Sequence, residues 1–163
     1  MTPGVLVAGV GNVLFGDDGF GVEVVHRLRQ HPLPEGVMVA DYGIRSLHLA
    51  FALLDAPSLL VLVDTMGRGG TPGSLYLIDP EHPDAASVAS RPDPHGMDLG
   101  RVFELVAHMG GRLPRTRIVG CEPADLSHKL ELSAPMLEAI PSAIDMIQQL
   151  IRSEGRTHEQ VQS

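Results

Sequence analysis

The chain has a single cysteine, Cys121, and no tryptophan. One cysteine excludes a disulfide framework and a cysteine-built zinc cluster; the missing tryptophan excludes nothing. Basic residues are few: 12 Lys and Arg stand against 20 Asp and Glu, for a net charge of −8 and a pI near 5.4. That balance makes nucleic acid and an anionic membrane surface poor partners. No apolar run approaches the ~20 residues of a membrane span, and the first residues lack the basic region and apolar core of a secretion signal. The expectation is a soluble, cytoplasmic protein. Neither an internal repeat nor a shift in composition marks a second domain.

What the chain does have is enough apolar residue for one core, 44% of 163 residues. At this length about 70% of the unfolded chain's surface becomes buried on folding. Val5–Val10, Val37–Ala40, Leu59–Val63 and Arg115–Val119 read as strands, and Ser74–Ile78 as a short alternating one. Gly19–Gln30 carries Phe20, Val24, Val25 and Leu28 at helical spacing and is stopped by His31-Pro32-Leu33-Pro34. Further helices are expected over Leu47–Leu54 with Ser46 as N-cap, near Asp98–Met109, and over Pro135–Arg152, where Pro141 should disturb the helix. Asp79–Pro94 is loop-like, with four prolines. Strands alternating with helices give an α/β fold. It is one three-layer domain over residues 1–152, with a mostly parallel twisted sheet of about five strands and helices on both faces. Residues 153–163 form a polar tail expected to be disordered.

In such a sheet the ligand site lies outside the carboxyl ends of the strands, where the strand order reverses. Acids collect there: Asp17 and Asp18 follow the first strand, Asp41 ends the second and Asp64 the third. With the order 2-1-3, the exits of strands one and three flank the crevice. Neighbouring strands lie ~4.8 Å apart, so Asp18 and Asp64 can share a ligand. Gly9-Val10-Gly11 opens like a dinucleotide fingerprint, but Leu14 holds the place of the third glycine and no Lys-Ser/Thr follows. Two carboxylates stand where a phosphate would dock. Like charges ~5 Å apart repel by roughly 3 kcal/mol at an effective dielectric of about 20.

One acid as a helix cap would be ordinary. The second is left over, framed by Gly16, Gly19 and Gly21, which permit close backbone approach. Of the pair, Asp17 reads as the more expendable, a capping or orienting residue. His95, in D-P-H-G-M-D-L, adds an imidazole. Asp18, Asp64 and His95 together suit a borderline divalent ion such as zinc or nickel, with positions left for water or substrate. Taken singly, each is equally a cap, a strand-end acid or a loop histidine. Asp41 is a fourth candidate, as support for that set or as a base. The other histidines are scattered, and Cys121 reads as a buried, inert thiol.

The run G-V-G-N-V-L-F-G-D-D-G-F-G-V resembles the opening signature of the nickel–iron hydrogenase maturation endopeptidases. The resemblance continues in order through D-Y-G-I-R-S at Asp41, V-L-V-D-T at Asp64, D-P-H-G-M-D-L at His95, I-V-G-C-E-P at Gly120 and L-S-A-P around Ser133. It implies a twisted α/β sheet flanked by helices. It also implies removal of a C-terminal peptide from the hydrogenase large-subunit precursor after nickel insertion. The family's metal-contacting positions fall on Asp18, Asp64 and His95. The nickel comes with the substrate protein, and another divalent ion such as zinc or cadmium could substitute. The stretch after the second strand, often D-G-G-T/S-x-G in the family, is Asp41-Tyr42-Gly43-Ile44-Arg45-Ser46 here. It keeps Asp and Gly and otherwise departs, which points to a different substrate subgroup.

On this reading the chain is a peptidase acting as a monomer, with Asp18, Asp64 and Asp41 as catalytic candidates. Either nickel assists the chemistry, or an acid, Asp18 or Asp41, serves as general base for water. The competing readings are a non-catalytic maturation chaperone, a metal-dependent small-amide hydrolase and a nucleotide-binding regulator.

Overall fold

A computed structural model describes residues 4–80 and 98–162. The strands β1 (Val5–Val10), β2 (Val37–Gly43), β3 (Leu59–Thr65), β4 (Leu75–Ile78) and β5 (Arg115–Cys121) form one sheet in the order β2-β1-β3-β5-β4. Strands β2, β1, β3 and β5 are parallel, and β4 runs antiparallel along β5. The helices are α1 (Phe20–Leu28), α2 (Ser46–Leu53), α3 (Leu99–His108) and α4 (Ala134–Gln162).

The central strands read as unbroken apolar runs because both of their faces are covered. Successive side chains alternate across a strand. Val5, Val7, Leu59, Val61 and Val63 therefore join α1 and α4 in one core. Leu6, Ala8, Val10, Leu60 and Leu62 join α2 and α3 in the other. Each buried aliphatic side chain contributes roughly 1.5–3 kcal/mol. Helix α1 sits directly on the sheet: a Cβ on Gly21 would run into the carbonyl oxygens of Val63 and Val10. That close seat brings the loop between β1 and α1 down onto the end of β3.

The structure moves several expected boundaries. Strand β2 continues past Ala40 to Gly43, and the register with β1 slips between Gly9, opposite Asp41, and Val10, opposite Gly43. Asp41 thus lies just before an irregularity, not at the strand's end, and Asp64 is likewise followed by Thr65 within β3. Helix α2 is capped by the backbone of Arg45, with no side-chain cap, so Ser46 is its first residue. The longer β2 and the left-handed turn at Gly43 (φ 53°) set that start.

Pro141 lies within α4 and does not end it. The carbonyl that would have bonded its missing N–H belongs to Leu137, an exposed residue. Meanwhile Met136, Ile140, Ala143, Ile144, Ile147 and Ile151 keep a buried stripe. The polar residues set apart from position 153 continue α4 to Gln162. There buried Glu154 is paired with Arg115 of β5 at 3.1 Å, an anchor that composition does not reveal. Among the described residues no helix is long and apolar enough to cross a membrane.

Candidate active site

At the exit of β1 the chain turns at Gly11, where φ is +131° and only glycine is comfortable. A side chain there would collide with the Asp18 carbonyl oxygen and come within 3.6 Å of Asp64 Oδ1. Asp18 and Asp64 therefore both border Gly11. The Asn12 N–H donates to Asp18 Oδ2 at 2.7 Å, so the carboxylate closes the Asn12–Asp18 loop that carries it. The Thr65 N–H donates to Asp64 Oδ1 at 2.7 Å, and the Thr65 hydroxyl donates to the Asp17 carbonyl at 2.6 Å. These contacts lock the end of β3 to the loop.

Asp41 stands on the β2 side of the same turn, where the Gly11 N–H donates to the Gly43 carbonyl. Its Oδ1 accepts from the Gly43 N–H at 2.8 Å, and its Oδ2 lies 3.6 Å from His26 Nε2. Among the described residues no group of three or more His, Cys, Asp or Glu could hold a metal ion. Asp64 Oδ1 and the Asp18 backbone both lie beside Gly11, while Asp41, on the β2 side, is engaged with Gly43 and His26. His95 lies outside the described residues.

Of the two roles read for Asp17, orienting and capping, the structure supports the first and not the second. Asp17 caps neither the short 3-10 turn over Gly16–Gly19 nor α1. Fully buried, its carboxylate accepts from the Ala124 and Asp125 N–H groups at 2.8 and 2.9 Å. It also accepts from the Ser133 N–H at 2.7 Å and the Ser133 hydroxyl at 2.8 Å. Burial pushes its pKa up, but these donors more than offset that and hold it below the ordinary 3.8. The Gly16 N–H to Lys129 carbonyl and Asp17 N–H to Asp125 carbonyl bonds complete the seam. The loop bearing Asp18 is therefore stapled to the segment after β5.

A second buried acid, Glu122, was not expected. It accepts from the Arg68 N–H at 2.9 Å, the Gly70 N–H and the Tyr76 hydroxyl at 3.3 Å. It thereby shapes the glycine-rich segment that follows β3. The only sequence signal was an acid between an apolar strand and Pro123. Cys121 next to it is buried, 3.4 Å from Met136 Sδ. Its thiol is pushed up to about 12 by burial and then by the charges of Asp17 and Glu122, which fits an inert group.

A parallel α/β sheet with carboxylates at the exits of β1 and β3, flanking the point where strand order reverses, has the layout of folds whose ligands bind at the carboxyl edge of the sheet. Comparison with known proteins makes the class specific. The chain belongs to the hydrogenase maturation protease family, whose HycI model matches residues 22–150, and it is a peptidase. It is 31% identical over 156 residues to the hydrogenase expression/formation protein HupD of Bradyrhizobium diazoefficiens, covering 94% of this chain and 80% of that one. It is 31% identical over 152 residues to the coenzyme F420 hydrogenase subunit delta of Methanothermobacter thermautotrophicus, covering 88% and 91%. Among solved structures, the hydrogenase maturating endopeptidase HybD of E. coli superposes with a TM-score of 0.81 at 25% identity, covering 93% of each chain.

Proposed function

We propose that this chain removes a C-terminal peptide from the large-subunit precursor of a nickel–iron hydrogenase after nickel insertion, and that it recognises the nickel carried by the substrate. The observation that supports the reading is that the Asp18 backbone and the Asp64 carboxylate both lie beside Gly11, in a chain of this peptidase family. Two carboxylates resist sharing a small space unless a proton or a cation lies between them. Substrate nickel is such a cation, and His95 would supply the nitrogen that suits it. A precursor without nickel then lacks the anchoring contacts, which is discrimination by an interaction that the wrong state cannot make. In the nickel-assisted form the metal polarises the scissile carbonyl; in the aspartic form Asp18 or Asp41 takes a proton from water.

The test is intact mass measurement after incubation with nickel-loaded and nickel-free precursor. Loss of a C-terminal peptide from the loaded form only is expected. Asp18→Asn, Asp64→Asn and His95→Ala should each block processing. The two Asn variants keep an oxygen for the Asn12 and Thr65 N–H groups, so the fold should persist. Full cleavage by the folded triple variant would overturn the site assignment. Binding of precursor without cleavage would favour a chaperone.

A further inference from the structure

The segment between β3 and β4 is built around Glu122. The Met66 N–H donates to the Cys121 carbonyl, the Gly73 N–H to the Glu122 carbonyl, and the Glu122 N–H to the Ser74 carbonyl. The Glu122 carboxylate lies inside that ring, only 3% exposed, and takes the Arg68 and Gly70 N–H groups. The chain turns at Gly69 (φ +79°) just after Arg68. The Arg68 side chain is exposed. Its guanidinium lies 5.6 Å from the centre of the Tyr76 ring, and the Tyr76 hydroxyl is itself bonded to Glu122. Glu122 thus holds the Arg68 backbone directly, and the Arg68 side chain lies by Tyr76, whose hydroxyl bonds to the same acid. Among the described residues the Arg68 guanidinium forms no ion pair, whereas Arg27, Arg115, Arg117 and Lys129 each have a carboxylate partner.

Position gives this cation a use. Arg68 follows Asp64 by four residues, which limits their Cα separation to about 14 Å, or about four residues of an extended peptide. A chain of net charge −8, with Asp18 and Asp64 at its site, repels an acidic substrate segment. A guanidinium so close in sequence to Asp64 offsets part of that negative charge, and its planar fork suits a carboxylate. We propose that Arg68 is a specificity-determining residue that binds a carboxylate of the substrate's C-terminal segment, within about four residues of the bond cleaved. This rests on the peptidase reading above. The carboxylate is either an acidic side chain or the end of the chain.

The experiment measures KM and kcat for nickel-loaded precursor at low and high salt, with the unaltered enzyme, Arg68→Ala and Arg68→Lys. Arg68→Ala should raise KM on the order of fivefold with kcat unchanged, flatten the dependence of KM on salt, and leave the melting temperature in place. Arg68→Lys should recover much of the loss. Two altered precursors distinguish the sources: one with the acidic side chains of the C-terminal segment converted to amides, one lengthened by a Gly-Ser extension that moves the terminal carboxylate away. On the precursor lacking the relevant carboxylate, the enzyme and its Arg68→Ala variant should have equal KM. An unchanged KM in Arg68→Ala, or a rise that persists on both altered precursors, overturns the inference while leaving the peptidase reading intact. Absence of cleavage by the unaltered enzyme overturns both.

Discussion

Replacing Asp17 by Asn probes whether the staple holds the acidic loop in place. In the native protein one carboxylate oxygen accepts from Ala124, Asp125 and the Ser133 hydroxyl, and the other accepts from the Ser133 N–H. An Asn carbonyl can serve the first three donors, but its NH2 then faces the Ser133 N–H, donor against donor. One stranded buried donor costs ~1–3 kcal/mol, and the surviving bonds lose the strength that a charged acceptor gives them. The sum is about 3 kcal/mol. In a domain of this size that lowers the melting temperature by about 6–12 °C. The carboxylate's folded-state pKa lies below 3.8, so the unfolded chain takes up the proton more readily. Its contribution is complete above about pH 4 and is lost as the pH falls through the folded value. Asn does not titrate there, so the gap between the two proteins should narrow on acidification below about pH 4. Calorimetry from pH 7 downward measures this, with hydrogen exchange of residues 123–133 as a local readout. A difference under about 2 °C at pH 7, or a gap that widens in acid, would refute the reasoning.

Gly21→Ala forces a methyl against the Val63 and Val10 carbonyls; overpacking of about 1–3 kcal/mol should lower the urea midpoint by about 1 M, and an unchanged midpoint would show that α1 can lift. Cys121, buried and with its thiol pushed up to about 12, should resist iodoacetamide at pH 8 in the folded protein and react fully in urea. Cys121→Ser should process precursor at the unaltered rate, and a large loss of turnover would instead make the thiol part of the chemistry.

The elements that sequence located best are those whose residues carry their own explanation. Leu59–Val63 is apolar at every position because helices cover both faces of β3, and the acids at the strand exits are adjacent in sequence to the strands that place them. That Asp18 and Asp64 border one turn was legible for that reason. The capping role read for Asp17 failed because its partners lie 107 to 116 residues away, and neither spacing nor propensity encodes a contact made only when β5 has joined the sheet. Glu122 escaped notice for the same cause: the amides it receives lie 52 and 54 residues earlier. The Ser46 cap failed because strand pairing carried β2 further than its apolar residues alone indicated. The helical course of α4 beyond position 152 depends on an ion pair between elements that sequence leaves far apart.

The Asp17 staple also fixes when the site can exist. Synthesis delivers the chain from its N-terminus, so β1, the acidic loop, β2 and β3 emerge long before their last partners. Until Ser133 has appeared, Asp17 lacks one of its three amides and its only hydroxyl donor, and a buried charge short of donors is costly. The staple on the loop carrying Asp18 therefore stays incomplete until about four-fifths of the polypeptide is made. A nascent chain, or one cut before Ser133, is expected to lack the complete staple, so the acidic loop takes its final place only when the segment between β5 and α4 docks.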